Sequence, residues 1–285
     1  VYRHQEQLLR YVVAELTGKL NGKLTIGKTN PDFFRTFPHA CITLHDVSLT
    51  DSLYPVHKKA LLQAGAVRVT VNLFSLLRHQ PQIREVSLSK GTIYWYTDSN
   101  GYSNKAVLLG KHDSGGKKLH IRKVLLSGME LISDNQQRRK YIHISANRLF
   151  ADLHYTDSGW HTKVHFKGFV HQLVLNEAKG SIIRNQPVKG VLALSGTNTG
   201  SLVMERQQIT LGKSLVHVTG SLNAKTRPAA YNIHIETGSE SFDTLLQWIA
   251  PVTAAKLHKV GVSGRFSVNA HINGHIQYPD TASVH

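Results

Sequence analysis

The chain has one cysteine, Cys41, in 285 residues. That excludes an intramolecular disulfide and any cysteine-based zinc site. Carboxylates are also scarce. Asp and Glu total 18 against 34 Lys and Arg, a formal net charge of +16. With 8 Pro and 22 Gly, the composition is neither collagen-like nor low-complexity. No apolar run approaches the roughly 18–20 residues of a membrane span. The G-x-S-x-G elbow, the P-loop, the dinucleotide fingerprint and the H-E-x-x-H helix are all missing. No catalytic residues, no cofactor and no metal site are therefore expected, and the chain reads as a non-enzyme. Basic charge of this size suits solubility, nucleic acid, anionic lipid or anionic glycan alike. A nucleic-acid module would add a recognition helix or a stacking motif. Neither is found, so no nucleic-acid partner is expected.

What is present is alternation. The apolar fraction of 41% is enough for a real core. Residues 1–22 read as a helix, with Leu8, Leu9, Val12, Val13 and Leu16 on one stripe. From Lys23 onward the period drops from 3.6 to 2. Ile42 and Leu44 alternate with Thr43 and His45, and Val47 and Leu49 continue after Asp46. Val67, Val69 and Val71 follow, then Val86 and Leu88, and Ile93 and Trp95. Ile142 and Ile144, Val164 and Phe166, Val216 and Val218, and Ile233 and Ile235 repeat the pattern, and Phe266, Val268, Ala270 and Ile272 close it. Each run is a half-buried strand, greasy on one face and wet on the other. Turn signals lie at Asp98–Gly101, Ser114–Gly116, Asp157–Gly159, Thr197–Gly200 and Asn273-Gly274. The expected fold is mainly β: a long antiparallel meander, curled into a trough, with an N-terminal helix and short helical insertions near 73–79 and 241–250. Ser241 is the N-cap candidate of the second insertion, and Pro251 follows it. No linker divides the chain, so one continuous domain is expected: the helix 1–22, a β region 23–110, and a continuing β-groove 111–285. The start at Val1, without Met or signal peptide, reads as a piece of something longer.

Three segments carry a resemblance. The first is Leu20-Asn-Gly-Lys-Leu-Thr-Ile-Gly27 after a helix, followed by Phe37-Pro38 and Ile42-Thr-Leu-His-Asp-Val-Ser-Leu49. The second runs from Val67-Arg-Val-Thr-Val71 through Leu73-Phe-Ser-Leu-Leu77, Ile83–Leu88 and Gly91-Thr-Ile-Tyr94 to Asp98-Ser-Asn-Gly-Tyr-Ser-Asn104. The third is Phe242–Pro251 with Gly261-Val-Ser-Gly-Arg-Phe266 and Gly274. In order and spacing they resemble the N-terminal region of the AsmA family of envelope proteins, related to TamB, YhdP and the chorein-type lipid bridges. The middle, about 105–230, matches only as generic amphipathic strands. The resemblance implies a Gram-negative periplasmic protein, anchored in the inner membrane by an upstream transmembrane helix. It also implies an apolar β-groove holding phospholipid or lipopolysaccharide acyl chains, with possible envelope protein partners. Candidate groove-lining residues are Val69, Val71, Leu88, Ile93, Trp95, Ile142, Ile144, Val164, Phe166, Ile233, Ile235, Phe266, Val268 and Ile272.

The residues alone leave alternatives open. The same apolar faces fit a dry sandwich core. Tyr94-Trp95-Tyr96 fits an interfacial belt or cross-strand packing. The first helix fits a membrane surface or a cap over the sheet. A rival function is outer-membrane protein assembly by β-strand pairing. His143, His165, His217, His234 and His271 each stand between apolar neighbours and read as dispersed surface residues.

Overall fold

The computed structural model describes residues 20–32, 39–72, 83–108, 121–174, 183–226, 229–248, 251–259, 261, 264–275 and 283–284. Residues 1–19 of the expected first helix, the expected helix over 73–79 and the Ser114–Gly116 turn lie outside the described residues; residues 20–22 are not helical. The fold is mainly β and mostly antiparallel, with few helices. The chain divides into two compact units, Val1–Gln137 and Arg138–His285.

Unit 1 is built on β3 (His39–Thr50), β4 (Leu62–Asn72), β5 (Ile83–Thr97) and β6 (Lys123–Asn135). The short strands β1 (Lys23–Thr25) and β2 (Lys28–Asp32) both pair with β3. β3, β4 and β5 are antiparallel neighbours. β5 and β6 break the meander, because they pair in parallel from Glu85↔Lys123 to Thr97↔Asn135. A parallel neighbour requires the chain to travel back along the whole strand. The 3-10 helix Asn104–Leu108 lies on that return.

Alternation in unit 1 changes phase along one line. In β3 the buried residues are Ile42 and Leu44, then Val47 and Leu49. In β4 they are Val71, Val69 and Val67, then Ala64; in β6 they are Leu126, then Met129. The residues at the change are Asp46, Gly65, Lys90 and Gly128, and they stand opposite one another across the four strands. Asp46, Lys90 and Gly128 have φ of 51°, 53° and 59°. A left-handed residue inside a strand resets which side the next side chain takes. Because all four strands reset at the same level, the apolar residues before and after the line stay in one core, where Ile42, Leu44, Val47, Ala64, Val67 and Val69 pack together.

Unit 2 carries β7 (Lys140–Tyr155), β8 (Gly159–Val174), β9 (Ile183–Thr197), β10 (Ser201–Leu211), β11 (Ser214–Asn223), β12 (Ala230–Thr237), β15 (Asn269–His275) and β16 (Ser283–Val284), adjacent in that order. All are antiparallel. The Asp157–Gly159 and Thr197–Gly200 signals do form hairpin turns, with Gly200 at φ 94°. Asn273-Gly274 does not turn. Both residues lie inside β15, where Gly274 pairs with Tyr231. The apolar run 266–272 is also split. Phe266 belongs to β14 (Arg265–Phe266), which pairs with β13 (Glu240–Ser241) in a separate ribbon. Between β12 and β15 lie the helices of unit 2, Phe242–Leu246 and Pro251–Lys259. Ser241 does cap the first, its Oγ accepting the Thr244 N–H at 3.2 Å. Pro251 opens the second helix, as its fixed φ and missing N–H allow at a first turn.

Candidate functional site

The register of unit 2 sorts its side chains into two faces. On one face Ile144, Leu149 and Leu153 of β7 adjoin Val164 and Phe166 of β8, then Leu192 and Leu194 of β9. Leu202, Met204 and Ile209 of β10 continue it, then Val218 and Leu222 of β11, Ile233 and Ile235 of β12, and Ala270 and Ile272 of β15. All of these are only half-buried. Ala146, Ala151 and Thr162 on the same face are buried, and so is one end, where Val170, Leu211 and Val216 are covered and Ile235, Val218 and Trp248 pack against them. Elsewhere each strand keeps accessible hydrocarbon on this face, with Thr162, Gly190, Gln207 and Gly220 between the apolar residues.

Glycines set its relief. Gly196 pairs with Trp160, and a Cβ at 196 would stand 2.4 Å from the indole. Gly274 pairs with Tyr231, and a Cβ there would stand 2.6 Å from the phenol oxygen. In both cases the ring lies across bare backbone, covering the weak point of the neighbouring strand. A side chain at either position would push the ring off the sheet.

The opposite face is largely polar and carries histidines, six of which stand in pairs. Direct cross-strand partners His154 and His161 stack with centroids 5.0 Å apart, and partners His234 and His271 at 3.9 Å. His143 and His171 stack at 4.4 Å. His234 Nε2 lies 2.8 Å from Asn269 Oδ1 and 3.3 Å from Glu236 Oε1, and Glu236 accepts from Arg206 Nη2 at 2.5 Å. Sequence reasoning missed the pairing because it depends on hairpin register, which no single strand records.

The predicted lining residues fall into distinct places. Ile142, Ile144, Val164, Phe166, Ile233, Ile235 and Ile272 sit half-buried on strands of unit 2. Val268 precedes β15, its N–H donating to Thr237 Oγ1 at 2.9 Å. Phe266 sits in the ribbon against Phe242, with ring centroids 5.4 Å apart. Val69 and Val71 are in unit 1, inside its core, with 3% and 1% of their surface exposed. Leu88 packs against that core. Ile93 is half-buried on β5, and Trp95 is 40% exposed.

Unit 1 contains a buried polar cluster that the sequence did not announce. Asp51 and His57 flank the helix Tyr54–His57, and His57 Nε2 is 3.0 Å from each Asp51 carboxylate oxygen. His57 Nδ1 accepts the Lys59 N–H at 3.0 Å. That bond leaves Nε2 as the protonated nitrogen, donating to Asp51. Tyr102 also donates to Asp51. Burial pushes the Tyr102 hydroxyl above the ordinary tyrosine pKa, and its bond to the Asp51 carboxylate adds to the shift. Tyr96, its ring tilted against that of His57 with centroids 5.2 Å apart, is also raised, first by burial and then by the charges of Asp98 and Asp134. Beside this cluster, Asn104 is fully buried. Its Oδ1 accepts the Tyr96 N–H at 2.9 Å, and its Nδ2 donates to Tyr94 O at 2.7 Å and Lys59 O at 3.2 Å. Asp98 Oδ1 accepts the N–H groups of Asn100 and Tyr102, and Gly101 has φ 90°. The Asp98–Asn104 segment is thus a folded turn that ties β5 to the β3–β4 connection.

No known family, curated protein or solved structure matches the chain.

Proposed function

We propose that this is a lipid-transfer or lipid-homeostasis protein of the Gram-negative envelope. In this reading it is anchored in the inner membrane by an upstream helix, with its body in the periplasm. The apolar face of unit 2, curling into a trough, holds the acyl chains of phospholipid or lipopolysaccharide. The protein performs no chemistry, and hydrocarbon side chains are its working surface.

The supporting observation is the half-exposed apolar face that every strand from β7 to β12, and β15, contributes to. A monomeric protein rarely leaves contiguous apolar surface of that extent without a use for it. Burying a methylene gains about 0.8 kcal/mol, so a 16-carbon chain gains on the order of 10 kcal/mol before entropic costs. The polar face and the net charge of +16 suit anionic headgroups at the rim.

Lipid extracted from the purified protein and identified by mass spectrometry, against a mock purification, tests this directly. Phospholipid above the mock level is expected. Ile233→Asp, which puts a charge in the middle of the face, is expected to reduce bound lipid at least tenfold. Circular dichroism would show whether the variant still folds. Absence of lipid from the wild type, or undiminished lipid on a folded Ile233→Asp variant, would remove the reading.

A further inference from the structure

One end of unit 1 has the make-up of a membrane-seating surface. Leu53, Val56, Trp95 and Leu108 are 42%, 80%, 40% and 55% exposed. They come from three separate segments: the β3–β4 connection, the exit of β5, and the 3-10 helix. Asn104 holds these segments at one end by bonding Lys59 O, Tyr94 O and the Tyr96 N–H together. The Asp51–His57 pair fixes the helix Tyr54–His57 from beneath, while Pro55 and Val56 of that helix are exposed. The exposed hydrocarbon is therefore presented on a rigid support.

The charge at this end is sorted by sign. Lys23, Lys58 and Lys105 are exposed. Lys105 Nζ lies 5.4 Å from the Trp95 ring centroid, and Lys59 Nζ lies 4.9 Å from that of Tyr94. The carboxylates are turned to internal partners: Asp51 to His57 and Tyr102, Asp98 to its turn N–H groups, and Asp134 to the Tyr94 hydroxyl. Among the described residues the exposed charges here are thus cationic, around a few protruding apolar side chains that include Trp95. That combination fits the headgroup zone of an anionic bilayer, where Trp and Lys sit best and aliphatic tips reach the acyl boundary. The chain also enters here. Leu20 packs with Leu49, Leu61 and Val107, and the Asn21 N–H donates to Val107 O at 2.8 Å. Residues 1–19, with their apolar stripe in sequence, lead into this same end.

We propose that this end of unit 1 docks on anionic phospholipid bilayers, with Leu53, Val56, Trp95 and Leu108 inserting among the headgroups and the lysines pairing with phosphate. The proposal does not rest on acyl-chain binding by unit 2, and the two fail separately.

The test is flotation of the full chain with vesicles of phosphatidylethanolamine and phosphatidylglycerol, and with vesicles of phosphatidylcholine alone. The wild type is expected to float with the first and at least tenfold less with the second. A Val56→Asp/Leu108→Asp variant should lose at least tenfold in partitioning with an unchanged melting temperature, since both side chains are exposed. Lys58→Glu/Lys105→Glu should lose binding to the anionic vesicles. Ile233→Asp should float like the wild type. Failure of the wild type to float, or wild-type flotation by a folded Val56→Asp/Leu108→Asp variant, overturns the proposal. Loss of self-association in that variant, with no vesicle binding by the wild type, would identify a protein interface and overturn it too.

Discussion

The two units are written in the same two-residue alternation, yet they use it differently. In unit 1 the inward residues of β3 and β4 are sealed: Ile42 is 0% exposed, Leu44 2% and Val71 1%. In unit 2 the equivalent rows of β8, β9 and β12 stay half-exposed, and among the described residues the buried apolar ones are few: Ala146, Ala151, Val170, Val174, Leu211 and Val216. The difference lies in what covers the sheet. Over unit 1, Leu24 and Ile26 from the β1–β2 segment, Ile121 and the fully buried Val107 fold back onto the strands. Over unit 2, among the described residues, Trp248 packs on the end where Val170, Leu211 and Val216 meet. An amphipathic strand thus specifies that one side is apolar, while the connections decide whether that side becomes a core or a surface.

This contrast is open to direct attack. Ile42→Ala and Ile233→Ala delete the same atoms from the two settings. The first is expected to cost about 3–4 kcal/mol through lost burial and a cavity. The second should cost about 1 kcal/mol, because its site is already part-solvated. The three Trp residues provide reporters, Trp95 in unit 1 and Trp160 and Trp248 in unit 2. Denaturant titrations of single-Trp forms would measure both, and equal costs would erase the distinction. Asn104→Ala sharpens it from the polar side. Its three bonds are lost inside a fully buried site, at an expected cost of about 3 kcal/mol seen by the Trp95 reporter. If that reporter does not shift, the turn is not what holds this end together.

The smallest effect is alkaline. Tyr96 and Tyr102 both have raised pKa values in the folded protein. The unfolded chain therefore releases these protons first. Stability from this source is complete below the ordinary tyrosine value of 10.0 and falls as pH rises from there through the folded values. Tyr102→Phe should flatten the loss in a stability profile from pH 9 to 12; an unchanged slope would assign it elsewhere.

Much of the architecture was legible because strand alternation is local. The step after Asp46, where Val47 and Leu49 take over from Ile42 and Leu44, is visible in the string itself. Its cause is not, because it needs Gly65, Lys90 and Gly128 to stand at the same level on other strands. The parallel pairing of β5 and β6 was equally hidden, since short strands and turns read alike whichever way the next strand runs. Asn273-Gly274 has the composition of a hairpin but serves as bare backbone beneath Tyr231. The candidate site was legible as a set of apolar positions. Phe266 read as one run with Ile272, but two residues, Ser267 and Val268, interrupt the ladder before β15 begins. Asp51 and His57 were passed over because their buried setting is completed by Tyr102, 51 positions from Asp51.

The aligned row of Asp46, Gly65, Lys90 and Gly128 has a consequence for how this molecule can vary. Each strand behaves as text whose reading frame restarts at a shared margin. A residue gained or lost in one strand near that margin would put its whole remainder out of frame with three neighbours, exposing what they hide. Change there must come in concert or be confined to the loops, so this narrow belt should resist drift for reasons of register alone.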